Sequence, residues 1–421
     1  MSKKDKQIAA IKGTKDILPK EARKWQRVEA AAKGIFELYG YREIRTPVFE
    51  ATELFEKGTG QTTDIVIKEM YTFKDKGGRS LTLRPEYTPS VVRSIIENNL
   101  HLKPQPLRFY FIGPMFRYDK PQKGRYRQFH QMDIEVFGEK DPAVDAEIVE
   151  MADFLLEKLK VKDKQILVNS VGCRKCRQGY YRNLRASAEK VRDQLCEDCQ
   201  RKIDTNPLRI FDCKVETCRE VSLGFPEITD YLCPECQEHF DKFCSYLDGY
   251  RIEYRIEPRL VRGLDYYTKT TFEIVSSKLG AQDAILGGGR YDDMMKDFGG
   301  PDMCAIGFAV GMERLLSLVP YREKRESFMY FVWLGDEARK AGMKLARPLR
   351  REGIECLIEH KERSLRNQMS RADKLGAPWV LIVGEDEVKK GTFQIKRMDS
   401  GEQRECRQEE ILQILKESVG K

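Results

Sequence analysis

The residues best suited to chemistry lie on a predicted hairpin of two strands, 107–116 and 129–137, joined by a basic loop. Arg117 follows the first strand, and Arg125 lies near the end of the loop. Because side chains alternate along a strand, one face of the return strand carries a ring, an amide and two carboxylates: Phe129, Gln131, Asp133 and Glu135. Buried carboxylates need partners, so this face is unsuited to a dry core. The hairpin predicts a pocket with a cationic and an anionic end, in preference to an ordinary half-exposed strand.

Nine of the twelve cysteines lie within residues 173–244. Eight of them form four close pairs: Cys173 and Cys176, Cys196 and Cys199, Cys213 and Cys218, Cys233 and Cys236. In a reducing cytosol such pairs bind metal more often than they form disulfides. The first two pairs are 19 residues apart, which fits a zinc ribbon, and the last two predict a second Cys₄ site with His239 and Cys244 as spare ligands. The alternative is reduced thiols that pack as small hydrophobic residues.

The elements that must position these residues fall into three regions. We expect a domain at 1–326, an insertion at 168–249 within it, and a C-terminal domain at 327–421. In the first domain, helices are predicted at 20–39, 88–98 and 143–159, with strands at 41–49, 80–83, 107–116, 129–137 and 270–275. Few strands alternate with helices, so the pattern favours an antiparallel sheet flanked by helices, an α+β fold. From residue 328 onward, alternating strands and helices predict a small α/β domain with a mostly parallel sheet, its first helix kinked at Pro348.

Composition sets the broad class of the protein. With 421 residues, 41% hydrophobic and 34% charged, the chain is neither disordered nor membrane-embedded. The N-terminal residues lack the apolar segment of a secretory signal, which indicates the cytoplasm. The net charge of +8 suits a partner that carries phosphates without proving one. Residues 103–127 hold seven basic residues and one acid, a pattern also typical of a solvated face.

Five short stretches, in order, resemble motifs of the class II aminoacyl-tRNA synthetases. Phe116-Arg117-x-Asp119 with Arg125-x-x-x-Phe129 resembles motif 2, residues 307–315 resemble motif 3, and Arg45-Thr46-Pro47 resembles motif 1, the dimer interface of the family. Residues 260–267 and 287–292 resemble the signatures of the histidyl-tRNA synthetase family. The resemblance implies an antiparallel catalytic domain followed by an anticodon-binding domain. It also implies a cytoplasmic homodimer that uses ATP with Mg²⁺, L-histidine and tRNA(His).

The resemblance assigns roles to individual residues. Catalysis and ATP binding go to four arginines and one ring: Arg117 bridging carboxylate and α-phosphate, Arg125 along the phosphates, Phe129 on adenine, Arg262 at the α-phosphate and Arg314 at the γ-phosphate. Histidine binding goes to two of these arginines and to eight further residues: Arg117, Arg262, Glu86, Tyr87, Thr88, Gln131, Glu135, Tyr266, Tyr267 and Tyr291. Of these, Glu135 and a tyrosine of the 266–267 pair match the imidazole nitrogens.

Other interpretations stay open at this point. An inactive synthetase-like regulatory subunit of histidine biosynthesis would bind histidine without activating it. A zinc-ribbon nucleic-acid-binding protein would explain the cysteines and none of the five motifs. For Arg262, the alternative to the catalytic role is a structural ion pair with Asp265. For Gly287–Gly289, the alternative to a binding role is a hairpin turn. We expect the active site to tolerate loss of the metal better than the insertion does.

Overall fold

The computed structural model describes residues 8–60, 63–122, 124–280, 283–321 and 328–419, the last four without their side chains. The chain divides into two compact units, of which the first ends at Tyr321 and the second comprises the rest. The helices of the first unit are α1 (Pro19–Leu38), α2 (Thr52–Thr59), α3 (Thr88–Glu97), α4 (Pro142–Lys158), α5 (Arg174–Glu189), α6 (Glu197–Thr205), α7 (Glu216–Ser222), α8 (Pro234–Gly249), α9 (Met294–Asp297) and α10 (Met312–Leu318). Its strands are β1 (Arg42–Glu43), β2 (Phe49–Ala51), β3 (Tyr71–Lys74), β4 (Ser80–Leu83), β5 (Leu107–Phe116), β6 (Gln128–Phe137), β7 (Gln165–Ser170), β8 (Tyr254–Ile256), β9 (Thr268–Val275), β10 (Ala284–Arg290) and β11 (Ala305–Gly311).

An eight-stranded sheet forms the centre of the first unit, in the order β1-β5-β6-β11-β10-β9-β7-β8. Its six inner strands are antiparallel, and only the short edge strands β1 and β8 run parallel to their neighbours. The predicted hairpin is confirmed, since β5 and β6 pair from Leu107 opposite Phe137 to Phe116 opposite Gln128. The antiparallel sheet predicted from the element order is therefore present.

Helix α1 shows why this sheet has a covered face. It begins with Pro19, whose fixed φ suits the first helical turn. Its apolar residues recur at helical spacing, and five of them are buried: Trp25, Val28, Ala32, Ile35 and Phe36. They pack in one core cluster with residues of α4, α8, α10 and the central strands. The opposite face of the sheet carries a smaller cluster that includes residues of α3 and α9.

The strand predicted at 41–49 is wrong as a single element. The structure has two short strands there, β1 and β2, and they belong to different sheets. Pro47 stands between them and has no backbone N–H to donate to a ladder, so pairing stops before it. After the proline the chain joins a separate three-stranded sheet in the order β2-β4-β3.

Two elements expected in the insertion belong to the main core. Strand β7 pairs with β8 and β9 of the central sheet. Helix α8 places Phe240, Phe243 and Leu247 in the cluster beneath that sheet. We therefore propose 171–233 as the bounds of the insertion, whose helices α5, α6 and α7 surround a small core of their own.

The second unit is an α/β sandwich. Its strands are β12 (Phe328–Trp333), β13 (Glu355–Ile358), β14 (Trp379–Val383), β15 (Thr392–Arg397) and β16 (Gln403–Arg407), and its helices are α11 (Asp336–Arg351), α12 (Leu365–Lys374), α13 (Glu385–Lys390) and α14 (Gln408–Val419). The sheet order is β13-β12-β14-β15-β16, with separate core clusters on its two faces.

The mostly parallel sheet expected here needs correction, because only two of the four strand pairs are parallel. A short connection joins β15 to β16 and forces an antiparallel pair. Helix α11 runs on past Pro348 to Arg351. None of the helices described in either unit has the length and apolar character needed to cross a membrane.

Candidate active site

One cavity of about 320 Å³ opens over strands β6, β10 and β11 of the first unit. That volume is within the range of small-molecule binding sites. Its walls contain every residue that the sequence assigned to catalysis, to the nucleotide or to the amino acid. The residues come from the hairpin, from the segment before α3, from residues 262–267, and from β10, β11 and α10. Chain positions almost 230 residues apart, Glu86 and Arg314, thus line one space.

Carboxylates form the anionic end of this cavity. Glu135 accepts hydrogen bonds from the Thr88 hydroxyl at 2.6 Å and from the Tyr291 hydroxyl. Glu86 accepts one from the Tyr266 hydroxyl at 2.9 Å. Burial raises the pKa of Glu86 to about 7 and that of Glu135 to about 8. These two groups therefore change charge near neutral pH, where an ordinary glutamate stays ionised.

Three buried oxygens at this end accept no hydrogen bond from the described residues: Oε1 of Glu86, Oε1 of Gln131 and Oδ1 of Asp133. Burial, together with the charges of Glu135 and Glu86, raises the pKa of Asp133 well above its usual value. A buried acceptor without a donor costs about 1–3 kcal/mol. Three of them in one cavity fit a ligand group that brings several N–H donors.

Guanidinium groups form the cationic end. Arg314 donates to the Ala284 carbonyl at 3.0 Å, and Arg117 donates to the Pro85 carbonyl at 2.8 Å. Burial lowers the pKa of Arg314, and the charges of Arg125, Arg117 and Arg262 lower it further. Two of these arginines pair with an acid: Arg125 lies 2.9 Å from Asp119, and Arg262 contacts Glu273. Convergent cations of this kind are an anion site, with the fork geometry that phosphate oxygens accept.

Arg262 forms an ion pair with a residue other than Asp265, the structural partner considered for it above. Its Nη1 contacts the Glu273 carboxylate on β9, and its Nε is buried without an acceptor among the described residues. Asp265 instead accepts a hydrogen bond from Asn206 at 2.8 Å and lies 3.8 Å from Arg209. The Arg262–Asp265 ion pair is therefore wrong. Glu273 was missed because only the sheet register, which no local pattern reveals, brings it beside residue 262.

Two aromatic residues differ in how they face the cavity. Phe129 lies 5.2 Å beneath the Arg117 guanidinium, with its ring bordering the cavity. Tyr87 turns its ring into the core, where it stacks on Phe111 with 3.6 Å between ring centroids and donates to the Ile44 carbonyl. Tyr87 nevertheless lines the cavity, and the histidine-binding role assigned to it stays a prediction. Gly287–Gly289 lies within strand β10, so its alternative as a hairpin turn is also wrong.

The cysteine pairs assemble in a different combination from the predicted one. The clusters are Cys173, Cys176, Cys233 and Cys236, and Cys196, Cys199, Cys213 and Cys218. The inner two pairs are nested within the outer two, because the strand β7 and the helix α8 that bracket the insertion are neighbours in the main core. His239 hydrogen-bonds Asp145 at 2.9 Å and Cys244 packs against the main core, so the described clusters use neither spare ligand.

Each cluster has the dimensions of a tetrahedral thiolate site. The Sγ atom of Cys173 lies 3.7 Å from that of Cys176 and 3.9 Å from that of Cys233. The Sγ atoms of Cys196 and Cys213 lie 3.8 Å apart. Four sulfurs bound to zinc at about 2.3 Å lie about 3.8 Å from one another. A disulfide would need about 2.05 Å. Backbone N–H groups of Cys233 and Cys196 point at the sulfurs of Cys176 and Cys218, as suits thiolates.

Comparison with known proteins gives two family matches. Residues 13–203 and 212–315 match the family described as histidyl-tRNA synthetase. Residues 319–418 match the family described as anticodon binding domain. The matched residues include both ends of the cavity and most of the cysteine-rich insertion.

Whole-chain relatives are similar at high identity. A histidine–tRNA ligase of Halothermothrix orenii is 46% identical over 419 residues, 98% of this chain and 100% of the relative. One of Desulforudis audaxviator is 48% identical over 97% of this chain and 98% of the relative. The crystal structure of apo S. aureus histidyl-tRNA synthetase has a TM-score of 0.82 at 36% identity, covering 97% of this chain and 100% of that one. A structure described as an ATP phosphoribosyltransferase regulatory subunit/histidyl-tRNA synthetase from Bacillus halodurans C has a TM-score of 0.65 at 19% identity, covering 90% and 98%, and shows the fold alone.

Proposed function

The chain belongs to the histidyl-tRNA synthetase family, and from that premise we propose how its cavity performs the reaction. The protein is a histidine–tRNA ligase: it joins L-histidine to ATP, releasing pyrophosphate, and transfers the histidine from the adenylate to tRNA(His). Relatives with the ligase name are 46–48% identical over nearly the whole chain. The structure that also carries the regulatory-subunit name is 19% identical. The ligase is therefore favoured over the regulatory subunit.

The observation that carries the proposal is the polarity of the cavity. Three buried acceptors without a donor among the described residues lie at one end, on Glu86, Gln131 and Asp133. The α-ammonium group of an amino acid offers three N–H donors and one positive charge, which matches them. The guanidinium groups at the other end match the carboxylate and the phosphates. The cavity thus orients an amino acid with its carboxylate toward ATP.

We propose that the wall of the cavity around Glu135 recognises the imidazole. Each Glu135 oxygen already accepts one hydroxyl, and a carboxylate oxygen has capacity for a second hydrogen bond. We assign one imidazole nitrogen to Glu135 and the other to the neighbouring tyrosines Tyr266 and Tyr267, whose rings are 4.7 Å apart. Tyr291 and Thr88 fix the Glu135 carboxylate. A side chain without both nitrogens would leave these buried groups unpaired, which is the basis of selectivity.

Activation brings two anions together. A histidine carboxylate oxygen attacks the α-phosphorus, the bond from that phosphorus to the bridging oxygen breaks, and pyrophosphate leaves with the electron pair. Arg117 and Arg262 neutralise the carboxylate and the α-phosphate, and Arg314 and Arg125 hold the outer phosphates. Phe129 gives adenine an aromatic face. Positioning and cationic stabilisation supply the catalysis, because negative charge grows on the phosphoryl oxygens.

Mg²⁺ accompanies ATP in this proposal and offsets phosphate charge when bound. The cavity wall offers the oxygen ligands that Mg²⁺ prefers. Glu69 lines the cavity within electrostatic range of Arg117 and Arg125. Its carboxylate fits a hydrated ion held mainly by the phosphates.

The remaining partners follow from the family. We assign the tRNA anticodon to the second unit, which matches the anticodon-binding family. We propose a homodimer, supported by the motif 1 segment and by the exposed rings of Phe49 and Phe73 on the small sheet beside it, 6.5 Å apart. We place the enzyme in the cytoplasm, where thiols stay reduced.

We propose that each cysteine cluster holds one structural Zn²⁺. Purified protein should then contain about two zinc ions per chain by elemental analysis, because each Cys₄ set closes one tetrahedral site. Replacing Cys196 and Cys199 with serine should leave about one, since the other cluster is separate. Cys244→Ser is the matched control and should retain two. Protein free of transition metal, with every thiol titratable, would contradict the assignment.

The pH dependence of histidine binding tests the anionic end. With a pKa of about 7, Glu86 is mostly neutral at pH 6 and ionised at pH 8. The neutral form attracts the α-ammonium weakly, so we expect the KM for histidine to rise roughly tenfold as the pH falls from 8 to 6. Glu86→Gln stays neutral throughout and serves as the reference, since the substrate imidazole titrates equally in both proteins. Parallel profiles for the two proteins would show that Glu86 does not meet the substrate charge.

Charging of tRNA tests the whole function. Labelled histidine should become attached to a tRNA(His) transcript in the presence of ATP and Mg²⁺, and tRNA for another amino acid should stay uncharged. Histidine binding without charging of any tRNA would favour the regulatory subunit.

A further inference from the structure

The segment that carries three site residues is poorly tied to the sheet. We call residues 261–267 the binding loop; it contains Arg262, Tyr266 and Tyr267. The residues just before it are fastened to β7, whose Asn169 side chain donates to the carbonyls of Pro258 and Leu260 at 3.0 Å. Among the described residues, no backbone–backbone hydrogen bond involves residues 261–266. The contacts that the described residues make with the loop therefore come largely from side chains.

Several of those side chains belong to the insertion. Asn206 donates to the Asp265 carboxylate at 2.8 Å, and Arg209, which is 7% exposed, lies 3.8 Å from it. Arg177 donates to the Tyr267 carbonyl. Val261 packs against the insertion's own core cluster. Contacts from α5, from residue 206 and from residue 209 thus reach both ends of the binding loop.

The same contacts lie beside the cysteine clusters. Arg177 follows Cys176 directly in α5, while Asn206 and Arg209 lie between Cys199 and Cys213. The insertion core contains only about a dozen buried residues, and such a small unit depends on a metal or a disulfide for stability. The geometry of Asn206 and Arg209 is therefore set by how the second cluster folds.

We propose that the insertion is a metal-dependent clamp on the binding loop, in which Asn206 and Arg209 are positioning residues that hold Asp265 and thereby place Tyr266 and Arg262 for histidine. The inference rests on the proposed function of the cavity. It reverses the expectation that the active site tolerates loss of the metal. The expected signature is weaker histidine binding with ATP binding retained, because adenine and the outer phosphates meet Phe129, Arg125 and Arg314, which lie outside the loop.

The test is calorimetric binding of histidine, and separately of ATP with Mg²⁺, to the full chain. The double variant Asn206→Ala/Arg209→Ala should bind histidine about tenfold more weakly and ATP within twofold of the original chain. Arg201→Ala is the matched control in the same insertion, since its side chain is 72% exposed and pairs with Asp198. It should change neither affinity. Asp265→Asn, which keeps size and one acceptor while removing the charge, should show a smaller loss of the same kind.

Removal of the metal completes the cycle. Stripping zinc with a chelator should weaken histidine binding by the original chain by a similar factor, and re-addition of zinc should restore it. In the double variant, removal of zinc should weaken histidine binding little further, because the substitutions and the loss of metal act through the same contact with Asp265. If the double variant melts earlier yet binds histidine normally per folded molecule, the insertion is only structural and the clamp is wrong. Full additivity of the two losses would also contradict it. A chain that binds histidine but catalyses no activation contradicts the proposed function and leaves these binding results decisive for the clamp.

Discussion

We expect Arg262→Ala to slow histidyl-adenylate formation by about 10²–10³-fold, the effect of losing one preorganised donor to a developing oxyanion. Negative charge on the α-phosphate grows as the carboxylate attacks, so the guanidinium stabilises the transition state more than the ground state. Histidine affinity should fall much less than the rate. Rapid-quench measurement of adenylate formation, with active sites counted by titration, gives the rate per folded molecule. Transfer of a preformed adenylate to tRNA should be less affected, because the α-phosphate is then already bonded to the amino acid.

Two further substitutions sharpen this prediction. Arg262→Lys should recover only part of the rate, because an ammonium lacks the planar fork of donors. A Cβ at Gly287 would overlap the Arg262 guanidinium, so Gly287→Ala must displace it and should slow adenylate formation as well. Gly179→Ala is the control, since a Cβ there meets nothing within 4 Å. If Arg262→Ala melts early yet turns over normally per folded molecule, Arg262 serves only to pair with Glu273.

The second large effect concerns specificity. Glu135→Gln should raise the KM for histidine by about 10–100-fold while the KM for ATP stays within twofold. Above the Glu135 pKa of about 8, a hydrogen bond to its charged carboxylate contributes about 1.5–3 kcal/mol, which corresponds to this range. The amide also turns an NH₂ donor toward either the Thr88 or the Tyr291 hydroxyl, each of which now donates to one oxygen of the carboxylate. Steady-state exchange kinetics with each substrate varied in turn provide both constants.

A change on the same strand separates recognition from folding. His130→Gln alters a side chain of β6 that hydrogen-bonds Glu313 at 3.1 Å and does not itself line the cavity, so it should leave the KM for histidine near its original value. Equal losses for histidine and ATP in Glu135→Gln would mean that the strand is disturbed or that Glu135 does not meet the imidazole.

The hairpin and its polar face were predictable because both depend on local patterns. Alternation of side chains places Phe129, Gln131 and Glu135 on one side of β6, and the cavity lies over that side. The basic loop and the positions of Arg117 and Arg314 could likewise be matched to short motifs. The alternation of side chains and the short motifs depend only on residues that are close in the sequence. An error in the predicted arrangement of distant elements therefore does not affect them.

What sequence reasoning missed depends on distant contacts. Glu273 meets Arg262 only through the register of β9 and β10. The four cysteine pairs can combine into two sites in three ways. Their spacing predicted that pairs consecutive in the sequence share a site. Because β7 and α8 are neighbours, the first pair instead joins the last, and the two middle pairs join each other. Asp133, whose Oδ1 accepts no hydrogen bond from the described residues, was visible on the polar face, yet its place in the amino-acid site follows only from the burial around it.

The central claim is that this cavity activates histidine with ATP, and exchange of labelled pyrophosphate into ATP tests it most directly. With the purified chain, ATP and Mg²⁺, exchange should depend on L-histidine, should be absent with the other standard amino acids, and should fall at least a hundredfold in Arg262→Ala. Exchange that proceeds equally without histidine, or a chain that binds histidine and catalyses no exchange at all, would contradict the account.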